Sequence, residues 1–567
     1  MQVRAVVLEQ DEQRGVVRVQ QCFRWGIAAF ALLDCWICRF KMNPDGVSYL
    51  DMGDYYWKGN WHAALNPYWS PLYGWMTGLM FRVTKPSMRW EYPEVHLLNF
   101  AIFVATLFCF EIFWRELLAW KGDNAWMGAS RPYAWALGYL LFACILFGAG
   151  MLALVSPDLL VAALVLVASG MMLRFASGLM GTTQAALMGA VLGVGYLAKA
   201  AMLPFAVVVM MTMLAVTWRQ HGRKWMIGAT LLGFLVISIP FIAALSYSER
   251  QLTFGESAKI NYGWCVNGVS PIDSHWQGDG PGHSGALHPT RKIFGWPEVY
   301  EFATPVAGTY PVWYDPSYWY AGLDSRVHPV REVKAFLNTV SQIEEYFLRT
   351  LGFLTTVVLM MFLLSDRIKD SWWRLMEFWP IMVPAVAVFL MYAMVHWEMR
   401  YTSGVMLVGC GAVMASMSIS EEERRLYVLQ AASLMLGAMM VCWVLPLLML
   451  NGSYRDGRQS SQQIALAERL RTMGFKPGDQ VALIGNGFGE EYWARLEKVR
   501  IVAEVPNLET GDSTDAYWNS SPETERAVLN VLKSIGAKAV IADTPPRVLP
   551  PGWTQIDNTG HAVYFFR

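Results

Sequence analysis

Long apolar segments separated by short polar connections dominate the first 450 residues of the chain. Eleven of these segments approach the length of about 20 apolar residues that a membrane-spanning helix needs. The fifth and sixth form one continuous apolar stretch, which we divide at Lys199 and Pro204 because it is too long for a single bilayer crossing. The predicted spans are 23–40, 94–118, 132–155, 158–173, 184–199, 200–218, 225–247, 346–364, 376–396, 401–418 and 427–449.

The charges of the short connections give these spans a direction. With the N-terminus in the cytoplasm, basic residues such as Arg18, Arg174, Arg367 and Arg424 all fall on the cytoplasmic side, as the positive-inside rule requires. An odd number of spans then places the C-terminus outside. No small-residue cleavage site follows the first apolar segment, so we interpret that segment as a retained span and not as a signal peptide.

Three larger polar segments share the outer face in this topology: the loops 41–93 and 248–345, and the tail 451–567. Residues 1–450, including both loops, are predicted to form a transmembrane domain. In the tail, QVALIG, RIVAEV, AKAVIAD and AVYFF have the composition of buried strands, and two helical patterns lie among them. The tail is therefore predicted to be a small extracytoplasmic α/β domain with a partly parallel sheet. Its GNGFG segment lacks the full dinucleotide-binding pattern, and we interpret it as a tight turn between strand and helix.

The composition agrees with a polytopic α-helical membrane protein. Hydrophobic residues make up 54% of the chain and charged residues only 16%, whereas soluble proteins carry about 25% charged residues. Basic and acidic residues balance at 45 each, so the net charge identifies no partner, and we expect no nucleic acid to bind. The eight cysteines form neither a disulfide framework nor the spacing of a zinc site.

Charged residues within or beside apolar spans are energetically costly and are therefore candidate functional groups. Asp158 opens the fourth span, where it either caps the helix or takes part in a site. Lys199 lies at the break between the fifth and sixth spans, where its ammonium either reaches the lipid headgroups or binds a phosphate. Arg400, between the ninth and tenth spans, forms either an ordinary exposed pair with Glu398 or part of the same outer site as Lys199.

The stretch NPDGVSYLDMGD, residues 43–54, follows the first span and carries Asp45, Asp51 and Asp54. Asn-Pro-Asp-Gly is a turn signature, and Asp51 and Asp54 are three positions apart, so they share one face of a short helix. One interpretation is a capped helix lying on the bilayer surface. The aromatic, amphipathic sequence that follows favours an interfacial helix pair, which would hold an acidic group at headgroup depth. There the carboxylate can accept a proton from an attacking hydroxyl.

The order of these features resembles the GT-C superfamily of membrane glycosyltransferases, and within it the protein-mannosyltransferase and aminoarabinose-transferase branch. PDGVSYLDMGDYYWKGNW followed by SPLYGWM is similar to the Asp-Glu-x-Arg-Tyr…Pro-Pro-Leu-Tyr-x-Trp pattern of that branch, with Asp45 at the catalytic aspartate and Gly46 and Ser70 as departures. LGVGYLAKAAMLPF resembles a leucine-rich segment ending in Thr-Lys-Gly, with Lys199 at the lysine and with Ala198 and Ala200 in place of the Thr and the Gly. SPDLL and EMRY match an acidic position and an Arg-Tyr pair of the same enzymes. The resemblance covers about residues 20–450.

The resemblance implies an inverting enzyme of the inner (plasma) membrane that transfers a sugar from a polyprenyl-phosphate donor to an acceptor hydroxyl on the extracytoplasmic face. Asp45 would be the general base, and Lys199 and Arg400 would bind the lipid phosphate. Further candidates for substrate or phosphate binding are Asp158, Tyr49 and Arg291, the last of which is also interpreted as a plain surface residue. No cofactor is required, although Asp45 with Asp51 or Asp158 would suffice to hold one divalent ion. The sugar, the lipid and the acceptor, which is a glycolipid, a polysaccharide or a protein, stay open.

Two other classes of function fit part of the pattern. A transporter or flippase of lipid-linked sugars would also need many spans and buried charges, but the sequence shows no duplicated halves. A non-enzymatic envelope scaffold that docks through the tail gives no reason for an acidic group beside an interfacial aromatic pair. The sequence therefore favours the glycosyltransferase.

Overall fold

The structure is a computed structural model that describes residues 2–120, 131–218, 223–269, 275–278, 285–304, 307–446, 456–508, 511–557 and 559–566. Each of the eleven predicted spans contains a helix. The helices of the described part of residues 2–446 are α1 Gln2–Cys38, α2 Pro44–Trp57, α3 Trp61–Ala64, α4 Pro71–Thr84, α5 Met88–Leu118, α6 Arg131–Gly148, α7 Asp158–Ala176, α8 Thr182–Ala198, α9 Met202–Thr217, α10 Trp225–Ser248, α11 Ser257–Tyr262, α12 Pro311–Tyr314, α13 Pro316–Trp319, α14 Pro329–Glu345, α15 Gly352–Leu363, α16 Ile368–Glu377, α17 Trp379–Ala393, α18 Met399–Ala415 and α19 Glu422–Met439. π-Helical turns follow α11, α14 and α19 at Gly263–Asn267, Tyr346–Thr350 and Met440–Val444.

The helices confirm a polytopic helical architecture, although several are shorter than a full membrane span. By length and composition, five of the described helices can cross a membrane, and up to seven crossings result if each of two bent helix pairs is one span. The prediction of eleven full-length spans exceeds this number because helix breaks shorten several of them. α8 and α9, for example, have 17 and 16 residues and are separated by a break at Lys199, where the sequence analysis divided them.

The tail forms an α/β domain in which strands and helices follow the predicted patterns. The helices among its described residues are α20 Asp456–Thr472, α21 Gly487–Glu497, α22 Ser513–Trp518 and α23 Pro522–Ser534. The strands, two of which precede the tail, are β1 Arg291–Phe294, β2 Val299–Glu301, β3 Gln480–Ile484, β4 Arg500–Val505, β5 Asn507–Leu508, β6 Gly511–Asp512, β7 Ala539–Ala542, β8 Trp553–Ile556 and β9 His561–Phe565. The predicted domain boundary at 450–451 lies outside the described residues.

The main sheet joins the tail to the loop 248–345. Its strand order is β1-β2-β4-β3-β7-β9-β8, and β3 is parallel to both β4 and β7, which confirms the partly parallel sheet. β2 pairs with β4 in antiparallel orientation, with Tyr300 opposite Glu504. The loop therefore adds two strands to the domain of the tail, so that both segments share one sheet.

The loop 41–93 forms a closely packed pair of helices, α2 and α4. A Cβ atom at Gly53 of α2 would lie only 2.6 Å from the carbonyl oxygen of Gly74 of α4, so the small residues allow the two backbones to approach. Asp51 and Asp54 lie on α2 three positions apart, and Asp45 lies in its first turn. The position of this helix therefore decides what each of the three carboxylates can contact.

Candidate active site

Four of the predicted site residues meet in one ion-paired cluster. Arg400 Nη2 lies 3.5 Å from Asp45 Oδ2, and Arg400 Nε lies 3.7 Å from Asp158 Oδ2. Lys199 Nζ donates a hydrogen bond of 2.7 Å to Asp158 Oδ1. These residues belong to α2, α7, the α8–α9 break and α18, so only tertiary packing brings them together. The carboxylate predicted to be a base thus shares one site with both cations predicted to bind phosphate.

A side-chain contact holds the start of α2 beside the start of α7. Asn43 Oδ1 accepts a hydrogen bond of 2.8 Å from the backbone nitrogen of Val155, and Asn43 Nδ2 donates one of 3.3 Å to the Val155 oxygen. A Cβ atom at Gly46 would lie 2.7 Å from Val155 Cβ, so this close approach requires a glycine. The departure at Gly46 from the family pattern thus has a steric reason. The contact places Asp45 near Asp158 at the first turns of their helices.

Three residues around Arg400 complete the cluster, which is named the ion cluster below and comprises Asp45, Asp158, Lys199, His396, Glu398, Arg400 and Tyr401. Glu398 accepts hydrogen bonds of 2.6 Å from Arg400 Nε and 3.1 Å from the Tyr401 hydroxyl, and it lies 3.1 Å from His396 Nε2. The ring of Tyr401 lies against Lys199, with Nζ 3.6 Å from the ring centroid, which is cation–π geometry. The side chain of Arg400 is only 12% exposed, so its contact with Glu398 is not an ordinary surface pair. The sequence signal for Tyr401 was its match to the Arg-Tyr pair of the resembled enzymes, whereas His396 had only its place near Arg400 in HWEMRY.

The surroundings shift the proton affinities of these groups in opposite directions. Burial raises the pKa of Asp45, and the positive charge of Arg400 opposes this change. Burial would also raise the pKa of Glu398, but the hydrogen bond from His396 and the charge of Arg400 lower it well below its usual value. Hydrogen bonds to Cys265 and Glu398 raise the pKa of His396 to about 9. Of the two carboxylates, Asp45 is therefore the better proton acceptor.

Tyr49, one turn after Asp45, belongs to a group of aromatic rings beside the ion cluster. Its ring centroid lies 5.3 Å from that of Trp69, which lies 5.9 Å from that of Trp313. Trp313 in turn stacks on Trp264 with 5.8 Å between centroids and 14° between ring planes. We name these four residues the aromatic wall. Two of them come from the loop 248–345, so this loop contributes rings next to α2.

Arg291 lies apart from the ion cluster. It is on β1, its side chain is 67% exposed, and its Nε lies 3.0 Å from Glu301 Oε2. Together with Tyr318 and Trp319 it lines a separate cavity of about 390 Å³. Arg291 therefore lies at the protein surface, as one of its two interpretations predicted. A role in substrate binding stays a prediction.

Asp51 and Asp54 share one face of α2, as predicted, and this face contacts the tail. Arg495 of α21 extends Nη1 to within 2.7 Å of Asp51 Oδ1 and 3.0 Å of Asp54 Oδ2. Its Nε lies 2.7 Å from Glu91 Oε1 of α5, which Lys498 also contacts at 2.7 Å. These five residues, the domain clamp, join the tail to α2 and α5. One face of α2 thus serves the ion cluster and another serves the domain contact.

The carboxylates suggested for a divalent ion make hydrogen bonds within the protein. Asp51 accepts hydrogen bonds from the backbone nitrogen and the hydroxyl of Thr309 at 2.6 and 3.0 Å, in addition to its contact in the domain clamp. Asp158 is engaged by Lys199 and by the Ser156 hydroxyl at 2.7 and 2.9 Å. Within the described ranges, no group of three or more His, Cys, Asp or Glu residues is arranged to hold a metal ion.

An open cavity of about 490 Å³ reaches the ion cluster. Glu398 and Arg400 line one part of it, and Tyr346, just after α14, lines another. α14 is amphipathic and exposes apolar side chains such as Val330 and Val333, as helices at a membrane interface do. The cavity therefore connects the neighbourhood of the amphipathic α14 with the guanidinium of Arg400.

Known structures share this fold. No protein-family model matches the sequence, and no curated protein matches it either. The chain is similar to crystal structures of ArnT from Cupriavidus metallidurans, in the apo state with a TM-score of 0.53 and bound to undecaprenyl phosphate with a TM-score of 0.51. Both have 13% identity, and the match covers 95% of this chain and 96% of that chain. An Archaeoglobus fulgidus oligosaccharyltransferase, AglB, in complex with an inhibitory peptide and a dolichol-phosphate, matches with 10% identity over 92% of this chain and 70% of that chain, at a TM-score of 0.44. The GT-C fold predicted from the sequence is therefore the fold of this chain.

Proposed function

We propose that this chain, which has the GT-C fold, is an integral membrane glycosyltransferase that moves a sugar from a polyprenyl-phosphate donor to an acceptor hydroxyl. The observation that carries the proposal is the ion cluster, in which Asp45 lies beside Arg400, and Lys199 joins them through Asp158. A proton acceptor next to cations that bind phosphate is the arrangement that displacement of a lipid phosphate requires. The fold supports the same reaction by analogy.

In the proposed mechanism, Asp45 accepts the proton of the acceptor hydroxyl as the hydroxyl oxygen bonds to the anomeric carbon. The bond between this carbon and the phosphate oxygen breaks with inversion, and its electron pair leaves with the polyprenyl phosphate. Lys199 and Arg400 stabilise the negative charge that develops on the phosphate. All atoms and charges of the step are thereby accounted for with groups of this chain and its two substrates.

Both cations keep hydrogen-bond donors for the phosphate. Lys199 donates one of its three ammonium hydrogens to Asp158. Arg400 uses Nε and Nη2 in the ion cluster, and its Nη1 makes no hydrogen bond to any residue that the structure describes. Asp158 and Glu398 therefore hold the two cations in position and leave donors unused, and the 490 Å³ cavity beside Arg400 supplies the access.

The proposal includes a topology. The N-terminus lies in the cytoplasm and the tail outside the inner (plasma) membrane, because the basic residues of the short connections gather on the N-terminal side. The aromatic wall then covers the sugar on the extracytoplasmic face, where aromatic faces suit sugar rings. The reaction needs no cofactor, and the acceptor is a glycolipid, a polysaccharide or a protein hydroxyl.

Lys199→Met tests the phosphate site. In protein reconstituted in nanodiscs, we expect the affinity for undecaprenyl phosphate to fall about tenfold to hundredfold, because a charge-assisted hydrogen bond is lost. Lys58→Met is the matched control, because Lys58 is also predicted on the outer face but does not belong to the ion cluster. Its side chain is 71% exposed, and its Nζ lies 3.8 Å from Asp54 Oδ2. Transfer is followed as release of undecaprenyl phosphate from synthetic donors carrying mannose, glucose, galactose or aminoarabinose. Equal losses in both variants contradict the phosphate site, and no release from any donor contradicts the transferase.

The pH dependence of transfer tests the base. Asp45 accepts a proton only as the carboxylate, and burial raises its pKa. Activity should therefore decline as the pH falls through this raised pKa, at a higher pH than for an ordinary aspartate. Arg400→Gln removes the main charge that opposes the rise, so it should move the acidic limb of kcat/KM to still higher pH. An acidic limb that stays in place in this variant would contradict the assignment.

A further inference from the structure

Glu491 is a buried carboxyl group without a hydrogen-bond partner. Its side chain on α21 is 1% exposed, Oε1 is fully buried, and neither oxygen bonds to a described residue. Arg495, one turn further along the helix, directs its guanidinium to the domain clamp instead. Buried polar groups are nearly always paired, so an unpaired carboxyl calls for an explanation such as a missing ligand.

The position of Glu491 relates it to the ion cluster. α21 packs against α2, which carries Asp45 in its first turn. Phe488, three positions before Glu491 and on the same side of α21, contacts Trp313 of the aromatic wall edge to face, with 4.8 Å between centroids. Burial and the charges of Asp51 and Asp45 raise the pKa of Glu491 well above its ordinary value. These surroundings favour the protonated acid, which can donate a hydrogen bond.

Two more unpaired donors lie in the aromatic wall. The indole nitrogens of Trp264 and Trp313 are buried and have no hydrogen-bond partner among the described residues. The two rings stack on each other and belong to the same group of rings as Trp69. A ligand that satisfies these donors must offer several oxygen acceptors on a compact body with apolar faces, and a pyranose sugar has this chemistry.

We propose that Glu491, Trp264 and Trp313 form a sugar-binding subsite beside Asp45, to which the tail contributes the carboxyl group. The inference rests on the proposed function and names the residues that hold the sugar while Lys199 and Arg400 hold the phosphate. Glu491 donates its hydrogen bond to a sugar oxygen and takes no part in the proton transfer. The tail thereby contributes a residue to the binding site.

Glu491→Leu and Glu491→Gln test this subsite in the full-length protein in nanodiscs. Glu491→Leu should lower kcat/KM for transfer about tenfold, because it removes the hydrogen bond. It should leave the affinity for undecaprenyl phosphate unaltered and raise Tm, because it removes an unpaired buried polar group. Glu491→Gln keeps a donor of similar size and should recover most of the lost transfer.

Glu490→Leu is the matched control on the same helix. Glu490 is also buried, but it accepts a hydrogen bond of 2.6 Å from Trp493 Nε1 and lies 2.8 Å from His561 Nε2, so its loss should lower Tm. Two results overturn the subsite and leave the proposed transferase function standing. One is a lowered Tm in Glu491→Leu, and the other is transfer by Glu491→Leu at the wild-type rate while Asp45→Asn is inactive. If the wild-type protein itself releases no lipid phosphate from any donor, the proposed function fails and the subsite fails with it.

Discussion

Replacement of Asp45 by Asn should lower kcat/KM for sugar transfer by about 10²- to 10⁴-fold, the usual contribution of a general base. Asparagine has nearly the same shape but cannot accept the proton of the acceptor hydroxyl. Arg400 keeps its contacts with Glu398 and Asp158 in this variant, so the phosphate site persists. The affinity for undecaprenyl phosphate, measured on the same preparation, should therefore stay close to that of the wild-type protein.

Asp54→Asn on the same helix is the control for Asp45→Asn. Asp54 lies in the domain clamp, where Arg495 still faces Asp51 and Glu91 after the change, so transfer should remain near the wild-type rate. A loss of transfer of the same size in both variants would point to damage of α2 and not to chemistry. Unchanged transfer in Asp45→Asn would remove Asp45 from the mechanism, and movement of lipid without any transfer would favour a flippase.

The candidate site was predictable as far as its residues lie at the ends of apolar segments. Asp158, Lys199 and Arg400 are charges where the chain enters or leaves an apolar stretch, and topology alone places all three on one face. Asp45 follows the first span on that same face. That they meet in one cluster depends on the packing of α2, α7 and α18, which no local pattern contains. Arg291 was predicted on the same face of the membrane, but it lies on an edge strand of the main sheet, apart from the ion cluster.

The contribution of the tail was not predictable in the same way. The helical pattern around residues 490–499 indicated α21, but the face that contacts the membrane domain depends on how the two domains dock. Arg495 and Glu491 therefore appeared in the sequence as ordinary charges of a soluble helix. The pairing of β2 with β4 was also missed, because Val299–Glu301 is too short to give a strand pattern by itself. Long-range contacts, and not propensities, decide these features.

The domain clamp explains why the acidic stretch after the first span carries more carboxylates than catalysis needs. Asp45 belongs to the ion cluster, whereas Asp51 and Asp54 bind Arg495 from another face of the same short helix. Burial would raise the pKa of Asp54, but the charges of Arg495 and Lys498 lower it, so the carboxylate stays ionised at neutral pH. Loss of Arg495, the cation that three carboxylates of the clamp share, should therefore alter the position of α2 and, through it, the position of the proposed base.

Arg495→Met should lower the free energy of unfolding by about 3–5 kcal/mol, because it leaves buried carboxylates without their shared counterion. Arg495 is 2% exposed, and Lys498 remains to face only Glu91 and Asp54. Thermal unfolding in nanodiscs and proteolysis of the tail measure the effect.

Arg89→Met is the control, because it breaks the exposed contact of Arg89 with Glu468 between the same two domains. It should change the free energy of unfolding little. Adding Asp51→Asn, Asp54→Asn and Glu91→Gln to Arg495→Met should recover much of the lost stability, since uncompensated charge and not lost packing is the cause. If the fourfold variant is as unstable as Arg495→Met alone, the clamp acts through packing, and its ion pairs do not hold the tail on α2.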